Sequence, residues 1–78
     1  MTVSVLTISH RHGTDITVYA ERSLADAALL EFVDAWWADE MGDAEPPEDP
    51  DQRIAAYFDE MIENEEWSIV ECEVVQPA

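Results

Sequence analysis

The chain is 78 residues long and carries a formal net charge of −16, from 19 acidic residues against three arginines. Such a charge argues against direct binding to nucleic acid or to an anionic membrane, because that binding is driven by Lys and Arg neutralising phosphates. A chain this short buries only roughly 60% of the surface its unfolded form exposes, so one small domain over residues 1–78 is expected.

Residues 3–9 and 14–20 are rich in β-branched side chains and flank His10, Arg11, His12 and Gly13. They read as a hairpin whose glycine permits a positive φ. In the second strand Ile16, Val18 and Ala20 alternate with Asp15, Thr17 and Tyr19, which predicts that the first set is buried and the second wet. The first strand has Val3 and Val5 on one face and Leu6 and Ile8 on the other, as expected of a central strand or of one with a bulge. Ser23 followed by Asp26 matches a capping box and predicts a helix from Leu24 to Met41, stopped by Gly42. Ala25, Leu29, Phe32, Val33 and Trp36 form its apolar stripe, Leu30 and Trp37 lie about 100° away, and Glu31 and Asp34 lie opposite.

Residues 42–50 are a loop by composition, stiffened by Pro46 and Pro47. Asp49 then suits an N-cap and Pro50 the first helical position, with Gln52 completing a second capping box. This predicts a helix from Pro50 to Glu63. Ile54, Tyr57, Phe58, Met61 and Ile62 make its buried stripe, and Asp59, Glu60 and Glu63 face water. After Asn64, Glu65 and Glu66, residues 67–75 read as a third strand with Val70, Cys72 and Val74 inward and Glu71 and Glu73 outward. The order β-β-α-α-β implies an α+β fold: a three-stranded antiparallel sheet with two helices packed on one face and a wet outer sheet face.

Disorder is excluded by composition, since 47% of the residues are apolar and disordered segments have low hydrophobicity. No apolar run approaches the roughly 20 residues of a membrane span, and the N-terminus lacks the layout of a signal peptide. Together with a single cysteine, these features lead to the expectation of a soluble, cytoplasmic protein.

Catalytic chemistry finds little support. There is no Gly-rich phosphate loop, no nucleophile elbow and no Cys-x-x-Cys pair. Cys72 sits between Glu71 and Glu73, which disfavours the thiolate. His10 and His12 share one side of an extended chain but lack a third ligand at sensible spacing. The stretch Asp39 to Asp43 has its glycine in the wrong place for a calcium loop. No catalytic residue, metal site or cofactor is therefore assigned.

The carboxylates form the most suggestive constellation. Eighteen of the 19 acids follow residue 20, so the negative charge belongs to one part of the fold. Helix neighbours three or four positions apart hold charges several ångströms apart, comparable with phosphates at roughly 3.4 Å of axial rise per step plus lateral displacement. Glu31, Asp34, Asp59, Glu60 and Glu63, the loop acids Asp43, Glu45, Glu48, Asp49 and Asp51, and Glu65 with Glu66 are the candidate partner-binding residues. Trp36 and Trp37 cannot both point into a two-layer core, so Trp37 is a candidate apolar anchor.

The segment His10-Arg11-His12-Gly13-Thr14-Asp15-Ile16-Thr17-Val18-Tyr19-Ala20, with Glu31-Phe32-Val33-Asp34-Ala35-Trp36-Trp37 and Ala55-Ala56-Tyr57-Phe58, resembles small acidic proteins of phages and bacterial mobile elements. In size, charge and expected fold the chain is also similar to the DNA-mimic inhibitors of CRISPR and restriction systems. That group shares a physical strategy more than a sequence, so the resemblance implies a class and transfers no residue roles. The expectation is a non-enzymatic inhibitor whose partner is a basic nucleic-acid-binding protein. The alternatives are an acidic interaction module of a salt-adapted or GC-rich organism, and a small metal binder or enzyme using His10 and His12.

Overall fold

The structure is a computed structural model that describes residues 1–10, 13–61 and 65–75. Its elements are β1 (Thr2–His10), β2 (Gly13–Tyr19), α1 (Arg22–Met41), α2 (Pro50–Glu60) and β3 (Glu66–Glu73). The sheet order is β2-β1-β3 and both pairings are antiparallel. β1 is thus the central strand, without the bulge that was the other reading of its mixed faces: its register with both neighbours is continuous.

The register fixes which side chains share a face. Leu6 lies opposite Thr17 and Ile69, Ile8 opposite Asp15 and Trp67, and Ser4 opposite Tyr19 and Glu71. Ser4, Leu6 and Ile8 are buried beneath the helices, in a core shared with Ala25, Leu29, Val33 and Trp37 of α1 and with Ile54, Tyr57, Phe58 and Met61 at and after α2. Full burial of a large apolar side chain such as Leu29 stabilises by roughly 1.5–3 kcal/mol. The other face carries Val3, Val5 and Thr7 of β1, Ile16 and Val18 of β2, and Val70 and Cys72 of β3.

This arrangement corrects the expected facing of the edge strands. Ile16, Val18, Val70 and Cys72 stand on the open face, as exposed side chains, while Tyr19 and Ile69 pack against the core. Ala20 and Val74 are likewise exposed and lie past the strand ends. The acids on the helix side are tolerated because each finds a partner at the sheet margin. The Asp15 carboxylate is 2.9 Å from His10 Nε2, Glu73 pairs with the N-terminal ammonium of Met1 at 3.0 Å, and Glu71 lies 4.0 Å from the Arg22 guanidinium. Consequently, the outer sheet face is open to solvent and aliphatic, whereas a wet polar face was expected.

α1 begins two residues earlier than expected, with Glu21 as N-cap and no side-chain cap hydrogen bond, so the Ser23 capping box does not form. It ends at Met41 as expected, with Gly42 at φ 64°, where a side chain would be strained. α2 has its expected start: the Asp49 carboxylate accepts from the amides of Asp51 and Gln52 at 2.8 and 3.3 Å. It ends at Glu60 with Met61 as C-cap, short of the expected Glu63; Ile62 and Glu63 themselves lie outside the described residues, as do Arg11 and His12 of the expected hairpin turn. Gly13, opposite His10, has φ 133°, which explains a glycine at that position.

Among the tryptophans the stripe assignment is reversed. Trp37 is buried and donates its indole N–H to the Ala44 carbonyl at 2.7 Å, while Trp36 is 37% exposed. The loop returning from α1 covers the flank on which Trp37 stands and supplies that acceptor.

Candidate functional site

Apart from those paired at the sheet margins and from Glu65 and Glu66, the described carboxylates gather on the helical layer. Glu31 is about 200° around α1 from buried Leu29 and therefore points away from the sheet. It is exposed, as are Asp39, Asp43, Glu45, Glu48, Asp51, Asp59 and Glu60. None of these eight joins an ion pair within 4 Å among the described residues. Among the described residues the open sheet face carries one acid, Glu66, opposite Ser9 at the end of the ladder. The molecule thus presents an acidic side and an almost uncharged side.

Both described arginines are used to hold this layer together. Arg53 donates to the Pro47 carbonyl at 2.9 Å and to the Asp34 carboxylate at 3.0 Å, which ties the acidic loop and α2 to α1. Arg22 donates to Asp26 at 3.1 Å. Fixing a cation inside the layer positions the loop but offsets only part of its charge.

Between the N-terminal halves of the two helices lies an open groove of about 580 Å³. Leu29, Leu30, Ile54 and Trp67 line its apolar part, and Arg22, Asp26 and Asp51 line its polar rim. Trp67 projects from β3 on the helix side, is 38% exposed, and stands 6.3 Å from the ring of Phe58. Phe58 stacks in turn on Phe32 at 6.2 Å, so the groove's wall is backed by a ladder of rings. An indole in a groove with Asp51 on its rim is chemically suited to a Lys or Arg side chain, with the stem on the ring and the charge toward Asp51, since Asp26 is already held by Arg22.

Measured against this surface, the expected site residues divide. Glu31, Asp43, Glu45, Glu48, Asp59, Glu60 and Glu66 are exposed. Asp34 is exposed but bound to Arg53, and Asp49 is engaged as the helix cap. Glu63 lies outside the described residues. Two expectations are corrected. Trp37 is buried in the core, so it cannot anchor a partner, and Glu65 is only 6% exposed because it turns inward to accept the Tyr57 hydroxyl at 3.0 Å. A carboxylate with a buried hydroxyl donor can remain inside, where an unpartnered one would be costly. The groove itself was not foreseen. Its one visible signal was that Trp67 shares a strand face with Glu71 and Glu73, an odd place for a core ring.

His10 faces Asp15 and Phe32, and no group of three or more metal-ligating side chains is gathered among the described residues. No described helix is long and apolar enough to cross a membrane. The fold and its charge define an acidic two-layer α+β protein. Comparison with protein-family models, with curated proteins and with solved structures finds no match. Assignment of roles therefore rests on geometry and chemistry alone.

Proposed function

We propose that the protein is a non-enzymatic inhibitor that imitates nucleic-acid phosphates and occupies a Lys/Arg-lined DNA- or RNA-binding channel, such as that of a host defence complex. The observation that carries this reading is the one-sidedness of the charge: exposed carboxylates cover the helices and the loop between them, while among the described residues the opposite sheet face holds only Glu66. A cationic channel recognises such a side by electrostatic steering followed by docking. Glu31, Asp59, Glu60 and the loop acids Asp43, Glu45 and Glu48 supply the anionic array. Trp67, in place of Trp37, is the apolar anchor, receiving a basic side chain in the groove.

The test begins by retaining basic proteins from a cell lysate on the immobilised chain at low salt and eluting them with a salt gradient. A retained nucleic-acid-binding protein should lose affinity steeply between about 0.05 and 0.2 M salt, as phosphate contacts do, and should release its DNA or RNA when the chain is added. Replacing Glu31, Asp59 and Glu60 together by their amides should weaken binding by about tenfold, at a few tenths to one kcal/mol per exposed charge. A flat salt response, or undisturbed nucleic-acid binding, would overturn the proposal. Circular dichroism at low salt adds an independent check, because a mimic must stay folded where its attraction is strongest, whereas a chain adapted to molar salt should unfold there.

A further inference from the structure

The open sheet face is the surface least like the rest of the molecule. Across its middle Val18, Val5 and Val70 lie in one row on three adjacent strands. Thr7 lies between Ile16 and Ser68 in the next row, Thr14, Ser9 and Glu66 form a polar end row, and Val3 lies beside Cys72 in the row before. Ile16, Val18 and Val70 are 66%, 60% and 53% exposed. The aliphatic part of this face, with Glu66 at its polar end as its one charge among the described residues, has the chemistry of an interior surface.

We infer that this face binds a second copy of the same chain, sheet against sheet, to give a symmetric α/β/β/α dimer. Charge selects the occupant. Two chains of −16 repel each other through their helical layers, so self-association is confined to the one surface nearly free of carboxylates. The face is also self-complementary: a two-fold axis through the Val5 row sets valine against valine, with sheets about 10 Å apart and strands within about 30° of alignment.

Size points the same way. The described molecule is a slab of 54 × 26 × 16 Å. A slab with one bare apolar face is half of a sandwich. Three strands about 4.8 Å apart and seven to nine residues of about 3.3 Å each give a face of roughly 350 Å² in projection. With side-chain relief, two such faces bury on the order of 1,000 Å², the lower bound of a specific interface. The dimer turns both acidic layers outward, on opposite sides, and leaves both grooves open.

Self-association and partner binding respond to salt in opposite directions. Sedimentation equilibrium of the full chain, from about 0.01 M to about 0.5 M salt, spans Debye lengths from about 30 Å to under about 5 Å. The expected result is a monomer–dimer equilibrium that tightens by at least about tenfold over this range as repulsion is screened. Ile16→Asp and Val70→Asp, each at an exposed position, should raise the dissociation constant by about 100-fold or more by burying an unpaired charge, with unchanged circular dichroism. Glu31→Gln on the helical layer should leave the dimer intact. A chain that stays monomeric at millimolar concentration in 0.5 M salt overturns the inference. So does a dimer that survives both aspartate variants, which would indicate pairing through a strand edge. Because the phosphate-mimic proposal is read from salt-weakened partner binding, either idea can fail while the other stands.

Discussion

The two faces of β1 carry similar side chains and meet opposite fates. Leu6 and Ile8 lie under two helices in a ring-lined core, while Val5, one residue away from Leu6, heads a valine row that no described element covers. The helical side is where the charge is, and the bare side is where it is absent. Concentrating carboxylates on one layer creates a surface that repels its own copies and attracts cations. Clearing them from the other leaves a surface on which the hydrophobic effect can act without electrostatic opposition. The two properties come from the same partition.

The largest test of that contrast is a pair of substitutions on adjacent strands of the sheet. Leu6→Ala should lower unfolding free energy by about 2–5 kcal/mol through a lost transfer term and a cavity, and Val18→Thr should change it by no more than about 0.5 kcal/mol. Urea unfolding of dilute protein at low salt measures both. Similar costs would mean that the valine face is covered in the monomer. A smaller effect separates two neighbouring glutamates: Glu65→Ala should cost about 1–3 kcal/mol, because the buried Tyr57 hydroxyl loses this acceptor, whereas Glu66→Ala should be nearly neutral. Equal values would place Glu65 at the surface.

The smallest contrast is between two aspartates of the helical layer. Asp49→Ala removes the cap of α2 and should cost about 1 kcal/mol at any salt concentration. Asp59→Asn should instead stabilise by a few tenths of a kcal/mol at low salt, by relieving repulsion, and the gain should vanish at high salt. Thermal unfolding at the two ionic strengths distinguishes a structural carboxylate from one that only adds to the field.

Local chemistry made α2 legible before any fold was known: Asp49, Pro50 and the loop prolines mark its start within a few residues. Gly42 likewise marks the end of α1, and the β-branched runs mark all three strands. The failures were about facing. In β2 the alternation offers Ile16 and Val18 against Thr17 and Tyr19, and in β3 Val70 and Cys72 against Ile69 and Glu71, so each strand taken alone favours the wrong side. The candidate site was legible as an acidic cluster after residue 20, but not in its membership. Glu65 turns inward because a tyrosine hydroxyl from α2 waits there, and Trp37 because Ala44 returns beside it. Neither partner is adjacent in sequence.

What the order of residues determined by itself was the alphabet of the fold: three strands, two helices and their order, together with a net charge of −16. Those follow from interactions within a few positions of the chain and from a simple sum of charges. Only the assembled molecule decided which sheet face the helices cover, which tryptophan is sealed, and where the groove beside Trp67 opens. Burial is shared among strands, helices and loops at once. The covered face is the one where Leu6, Ile8, Tyr19, Ile69 and Trp67 together offer the larger side chains, a comparison that exists only after the register brings them side by side.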